Sequence, residues 1–227
     1  MAEKKEKPKA EGEFKLKVPG ISGKVDGLGS KAFGLVKFIL GVCLLPFVYS
    51  ASASFLREFS LIEKVSQRHF CLGVMSFLVI YLFIWEPAVV YTKGQRLLEV
   101  IFGFIKPLVK VAPYLLPIYT IIIFILYRLL SGVAKTGGLL KYSIFALGFT
   151  FMLHLVFSAK TMQAKKWDFL RANYIFGFSF IYIINILLLS FGLNLIFKEF
   201  SFVNFFNQSS LAAKNILSVA VKQLFLR

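Results

Sequence analysis

Residues 174–197 read YIFGFSFIYIINILLLSFGLNLIF, an apolar run that contains no charged side chain. A helix rises 1.5 Å per residue, so about 20 residues are enough to cross the hydrocarbon core of a bilayer. The few polar residues of the run, Asn185 and Asn194 among them, are neutral and can be accommodated inside a membrane. The run therefore predicts a membrane-spanning helix and makes the chain an integral membrane protein.

Further apolar runs precede this one, separated by short basic stretches, and each is predicted to span the bilayer. In chain order they are Phe38–Phe55 with a kink at Pro46, Phe70–Val90 with Trp85-Glu86-Pro87 near its end, Tyr114–Leu130 and Tyr142–Ala159. The predicted fold class is all-α, a polytopic bundle of about five transmembrane helices with interfacial amphipathic helices. An alternative stays open for the first run: Phe38–Val48 as the apolar region of a signal peptide, cleaved at Ala51-Ser52-Ala53.

Composition agrees with a membrane location. Hydrophobic residues make up 58% of the 227 positions, 27 residues are Phe, and the mean hydropathy is +0.75. These values exclude an ordinary soluble domain. The net charge of +16 comes from Lys and Arg residues that lie in the tail and the loops, next to apolar runs. Anionic lipid headgroups, and not nucleic acid, are therefore the expected counter-charge. Cys43 and Cys71 are interpreted as small hydrophobic residues.

The chain divides into three predicted parts. Residues 1–31 form a charged tail, expected to be disordered and cytoplasmic; residues 32–200 form the five-span domain; residues 201–227 form an amphipathic helix on a membrane surface. The polar side of that helix carries Lys214, Asn215, Ser218 and Lys222. Lys and Arg are more numerous in the tail and in the loops on its side of the membrane, which predicts a cytoplasmic N-terminus.

Four residues inside or at the edges of the apolar runs form a candidate intramembrane polar cluster: Lys37, Glu86, His154 and Asn185. Ionisable groups are costly in lipid and are functional candidates for that reason. The topology places Lys37, Glu86 and His154 near the same membrane face, and a structural ion pair between Lys37 and Glu86 is the favoured interpretation. A transport or relay role for these three residues is the alternative. Asn185 is expected to hydrogen-bond a neighbouring helix.

No catalytic residue, metal ligand or cofactor site is predicted from the residues themselves. A zinc site needs three or four converging ligands, whereas His69 and His154 belong to opposite ends of two spans. The sequence has no GxSxG, P-loop or GxGxxG motif. The favoured reading is therefore a protein that is not an enzyme.

The segment 96–110 has an amphipathic pattern. Its polar positions recur at helical spacing among apolar neighbours, and they are Arg96, Glu99, Gly103, Lys106 and Lys110. The spacing predicts one helix lying in the membrane interface, bent at Pro107, with Arg96, Lys106 and Lys110 in contact with anionic headgroups. The alternative is a buried helix whose polar stripe faces a water-filled groove.

Three apolar segments stand out together with two polar residues: Phe70–Gly94, Ala112–Tyr127 and Gly148–Gln163, with Asp168 and Asn185. Together they resemble site-2-protease-like membrane metallopeptidases of the M50 type from bacteria, which have an Asp and an Asn at the last two places. The resemblance covers about half of the chain. It implies a bacterial cytoplasmic membrane as the location.

The resemblance ends at the zinc motif. Where the family has Gly-His-Glu-x-x-His, this chain has Gly94-Gln95-Arg96-Leu97-Leu98-Glu99, so both histidine ligands and the general base are replaced. The resemblance therefore implies a catalytically degenerate relative, a scaffold that binds a membrane partner without cutting it. A small transporter or channel using Lys37, Glu86 and His154 is the second hypothesis, and a membrane metallopeptidase-like enzyme the third.

Overall fold

The computed structural model describes residues 22–132, 137–164 and 174–225, and this part consists of helices joined by short turns, without a strand. The predicted all-α fold is confirmed. The helices are α1 (Ser22–Phe59), α2 (Lys64–Val79), α3 (Ala88–Ile101), α4 (Lys106–Leu115), α5 (Ile118–Ser131), α6 (Gly137–Ala164), α7 (Tyr174–Ile196) and α8 (Phe202–Phe225). A π-helical turn, Ile80–Ile84, continues α2.

Within the described ranges, four helical segments are long and apolar enough to cross a membrane. They are Phe33–Phe59, Lys64–Ile84, Gly138–Met162 and Tyr174–Ile196. A fifth crossing results if Val109–Leu115 and Ile118–Ser131, which meet at an angle of 70°, form one broken span. The helices fit the multi-pass membrane protein that the sequence predicts.

The first helix begins earlier than expected. It starts at Ser22, inside the segment predicted to be a tail, and continues through Pro46 to Phe59. Starting a helix fixes several residues for one hydrogen bond, whereas extending a helix fixes only one residue per hydrogen bond. The apolar part of α1 therefore favours extension of the helix toward the N-terminus. The rest of the predicted tail, residues 1–21, lies outside the described residues, as do residues 165–173 of the predicted cytoplasmic loop.

The second span lies six residues earlier than predicted, because it runs from Lys64 to Ile84 and not from Phe70 to Val90. Trp85 has an extended backbone (φ −162°, ψ 142°). Proline disfavours a helical conformation of the residue before it, and its ring nitrogen has no hydrogen to donate. Pro87 thus ends the span and precedes α3, which starts at Ala88.

The prediction of one bent helix over residues 96–110 is wrong. The structure has two helices, α3 and α4, separated by a turn at residues 102–105. Pro107 lies in the first turn of α4, where a missing N–H costs no hydrogen bond. It therefore starts the second helix and does not bend a single one.

The closest contact between two helices is that of α2 with α6, which run parallel. Gly73 of α2 packs against the backbone of Phe145 and Phe149, and Gly148 of α6 packs against the backbone of Phe70. Farther along, the rings of Tyr81 and Phe157 meet edge to face at 5.8 Å. Small residues allow helix backbones to approach this closely inside a membrane.

Helix α8 turns back along α1. Its start is held by Ser201, whose backbone N–H donates to Glu58 Oε2 (3.2 Å) and whose hydroxyl accepts from the N–H of Asn204 (3.2 Å). Phe205 and Ala213, farther along α8, are fully buried. Still farther along α8, Lys214 lines a groove together with Phe47 of α1. The two helices are thus antiparallel, and Phe205 and Ala213 are buried while Val221 and Leu224, on the predicted apolar side, are exposed.

The contact between α2 and α6 predicts a large effect of small substitutions. A methyl group at Gly73 or Gly148 would collide with backbone atoms of the facing helix, which cannot move aside singly. We expect Gly73→Ala and Gly148→Ala each to lower the free energy of unfolding by about 2 kcal/mol or more. Unfolding in detergent micelles measures this. Gly34→Ala is the matched control, because a methyl group there meets nothing within 4 Å. Equal stability of all three variants would contradict the packing.

Candidate functional site

The hydroxyl of Ser158 is the centre of a buried polar cluster. Its Oγ lies 3.0 Å from the hydroxyl of Tyr91 and 3.2 Å from Nε2 of His154, and it donates to the carbonyl oxygen of Tyr114 (3.2 Å). A hydroxyl has one hydrogen to donate and two lone pairs to accept. Tyr91, His154 and the Tyr114 carbonyl are thus three partners of this hydroxyl, the largest number that it can bond.

Three helices supply the cluster. His154 and Ser158 are four residues apart on α6, so they lie on one face of that helix. Tyr91 comes from α3 and stacks on Phe157 with a centroid distance of 5.4 Å. Tyr114 lies in the last turn of α4, where no backbone N–H of the same helix is available to donate to the carbonyl groups. The side chain of Ser158 thus fills the place of a missing helical N–H.

Asn185 donates to a second free carbonyl at this helix end, that of Leu115. Its Nδ2 donates to Leu115 O (3.1 Å) and to Ile181 O of its own helix (2.8 Å). This is the interhelical hydrogen bond expected for Asn185. Its side chain is completely buried, and its Oδ1 has no hydrogen-bond partner among the described residues. Since Asn185 lies in the middle of α7, the break between α4 and α5 lies at the same depth.

A small cavity adjoins the cluster. It measures about 10 Å³, and its polar lining includes Gln95, Thr150 and His154. The Nε2 of Gln95 is buried without a hydrogen-bond partner in the described part of the chain. A cavity of this size accommodates about one water molecule. The arrangement can hold a water molecule between polar groups.

The expected layer of Lys37, Glu86 and His154 does not form. Glu86 pairs with Lys160 near the end of α6, and both side chains are about half exposed. Lys37 is buried on α1, with its ammonium group 4.1 Å from the centre of the Phe33 ring. The favoured pairing of Lys37 with Glu86 is therefore wrong. The physical reason is that α2 runs alongside α6, whereas α1 packs on α7 and α8.

Sequence reasoning missed most of the cluster that does form. Of the residues that meet around Ser158, only His154 was a candidate, because a serine or tyrosine in an apolar run attracts no attention by itself. One signal was present: His154 and Ser158 are four residues apart, as are Tyr91 and Gln95. Such spacing places both members of a pair on one helix face.

The three candidate contacts to lipid headgroups are all exposed, on two different helices. Arg96 lies on α3, and Lys106 and Lys110 lie on α4. Phe104, in the turn between the helices, exposes 79% of its surface. Binding of anionic lipid by these three residues stays a prediction.

Residues 94–99, which the resemblance aligns with a zinc motif, lie on α3. Gln95 points into the cavity, whereas Arg96 and Glu99 are exposed. Among the described residues, no group of three or more His, Cys, Asp or Glu side chains is placed to hold a metal ion. Comparison of the chain with models of protein families, with curated proteins and with solved structures gives no match. The resemblance to M50 metallopeptidases stays an expectation.

The buried phenol of Tyr91 predicts a pH dependence of stability. Burial raises the pKa of Tyr91 from 10.0 to about 12. The unfolded chain therefore loses this proton at lower pH than the folded protein. The contribution of the protonated phenol to the free energy of unfolding is complete below pH 10 and is lost as the pH rises toward 12. We expect the free energy of unfolding to fall more steeply over this range in the natural protein than in Tyr91→Phe. Parallel pH profiles of the two proteins would contradict a buried phenol.

The ion pair of Glu86 is tested by double-mutant cycles. Because Glu86 and Lys160 are half exposed, their coupling should be small, about 0.2–1 kcal/mol. A second cycle, Glu86→Ala with Lys37→Ala, should be additive within error. Unfolding free energies of the single and double variants provide both numbers. Coupling of Glu86 to Lys37 and not to Lys160 would show that the ion pair is misassigned.

Proposed function

We propose that this chain is a non-enzymatic, multi-pass membrane protein that binds a membrane-embedded partner along α8. The observation that carries the proposal is a line of exposed polar residues on the outer side of α8, which we call the α8 stripe. Its members fall within about 100° of the helix circumference and are Asn204, Asn207, Lys214, Asn215, Ser218 and Lys222.

The α8 stripe lies where lipid would otherwise be. Helix α8 packs antiparallel on α1, and the part of α1 that it covers belongs to the Phe33–Phe59 span. A charged side chain inside the hydrocarbon region costs about 2.5–3.5 kcal/mol on insertion scales. A partner that covers the stripe removes this cost, because polar side chains of neighbouring helices can hydrogen-bond one another.

The interior of the bundle supports a structural role for its polar groups. Ser158, His154 and Tyr91 bond one another and a free carbonyl, and Asn185 bonds another. These side chains hydrogen-bond backbone groups that a broken helix leaves without partners, and this structural role explains why they are buried here. The replacement of the His-Glu-x-x-His residues by Gln95, Arg96 and Glu99 agrees with a scaffold that does not cut its partner.

Photo-crosslinking in cells tests the proposal. A photoreactive amino acid at Asn207 or at Leu211, which lies within the stripe, should give a discrete adduct with one membrane protein, identified by mass spectrometry at both positions. The same probe at Met75 of α2, which is 56% exposed, is the matched lipid-facing control and should give no such adduct. Identical patterns from α8 and α2 would contradict binding along α8.

A small transporter is the second candidate, favoured by the broken span. Non-helical backbone at membrane depth is tolerated where it is buried in protein or lines an aqueous cavity, and broken helices of this kind line the binding sites of many transporters. Here the break at Leu116 and Pro117 adjoins the cavity beside Gln95, Thr150 and His154. Solute flux into proteoliposomes that stops on substitution of Gln95 would favour this candidate over the first.

We further propose the bacterial cytoplasmic membrane as the location, with the N-terminus in the cytoplasm. The bias of Lys and Arg toward the tail and toward residues 91–113 and 160–173 supports this orientation. The start of α1, at Ser22, and the start of α8 lie at opposite ends of α1, because Ser201 bonds Glu58 near the last turn of that helix. The start of α8 would accordingly lie on the non-cytoplasmic side.

A further inference from the structure

We infer that the α8 stripe and the groove beside it receive a transmembrane helix that carries carboxylate side chains. This inference rests on the proposed function and specifies the chemistry of the partner. It is carried by the charge of the stripe, by its depth along α1, and by the shape of the groove.

The stripe has charge of one sign only. Lys214 and Lys222 are exposed on it, and α8 contains no Asp or Glu. The two lysines form no salt bridge with any carboxylate of the described residues. They are eight residues apart, which is about 12 Å along the helix axis. A helix that lies alongside α8 can present two carboxylates at the same spacing.

The depth of the groove distinguishes a protein helix from a lipid headgroup. Lys214 lines the groove together with Phe47, which is near the middle of the Phe33–Phe59 span. Lys222 lies about 12 Å farther along α8, toward the start of that span, because the two helices are antiparallel. Lipid phosphates lie at the two ends of such a span, outside the hydrocarbon core. A carboxylate on a transmembrane helix can be placed at any depth, including that of Lys214.

The groove is lined by both apolar and polar side chains. Phe47, Leu217 and Val221 supply its apolar side chains, whereas Ser210, Ser218 and the two lysines supply its polar ones. Its volume is about 600 Å³, enough for several apolar side chains of a neighbouring helix. Apolar side chains of the partner would pack against the apolar lining while its carboxylates meet the lysines.

A second copy of the chain fits less well. If two copies met stripe to stripe, the lysines of one copy would face those of the other, and like charges facing each other across an interface disfavour association. The neutral members of the stripe, Asn207, Asn215 and Ser218, can hydrogen-bond a partner helix in addition to the ion pairs.

The test uses the full chain in lipid nanodiscs and synthetic transmembrane helices of about 20 Leu and Ala residues. One probe helix carries two Asp residues eight positions apart, the second carries Asn at both places, and the third Lys. A photoreactive amino acid at Leu211 measures capture. We expect the Asp helix to be captured about tenfold more than the Asn helix, corresponding to one ion pair of moderate strength. Capture should be lost in Lys214→Ala/Lys222→Ala and kept in the control Lys106→Ala/Lys110→Ala.

Charge reversal provides a test in which the expected result is a changed preference and not a loss of binding. Lys214→Asp/Lys222→Asp should prefer the Lys helix to the Asp helix. Equal capture of the Asp and Asn helices would overturn recognition of carboxylates, while the crosslinks in cells would still decide whether α8 binds a partner. Displacement of the Asp helix by phosphatidylglycerol would identify a lipid as the occupant, and adducts between two copies would identify self-association; either result overturns the inference.

Discussion

Every backbone carbonyl and N–H inside a bilayer needs a partner within the protein, and this constraint explains most of the structure. A helix that ends leaves its last carbonyls free, and water is not available to satisfy them in hydrocarbon. The chain nevertheless breaks a helix at Leu116 and Pro117, at the depth of Asn185. The break persists because Ser158 donates to Tyr114 O and Asn185 donates to Leu115 O. Both donors come from neighbouring helices, so the break and the packing of the bundle depend on each other.

The register of α6 against α2 is what brings Ser158 to this place. Gly73 and Gly148 let the two backbones touch, and a slip by one turn would replace the glycine contacts with side chains. The same register places Lys160 beside Glu86 and Phe157 beside Tyr81. Two glycines thus determine an ion pair, an aromatic contact and the capping of a broken helix.

The sequence predicts the helices far better than it predicts their partners. Hydrophobic runs separated by basic loops identify the spans, because the cost of polar groups in lipid acts on each segment separately. The end of the second span was placed too late, because the apolar run continues past Pro87 and masks the effect of the proline. Residue pairs depend on which helices touch. The sequence around each helix does not show that α2 lies beside α6. It therefore gives no reason to choose Lys160 over Lys37 as the partner of Glu86.

The docking of α8 on α1 and the covering of the α8 stripe are coupled. Docking gains the contacts of Phe205 and Ala213 and the hydrogen bond from Ser201 to Glu58. It also holds Lys214 beside Phe47, where exposure to hydrocarbon is costly. On a membrane surface the lysine would reach water, but those contacts would be lost. A ligand that binds one of two arrangements more tightly stabilises that arrangement by the difference between its two binding free energies. A partner that covers the stripe therefore stabilises the docked position of α8, and docking in turn prepares the groove that the partner occupies.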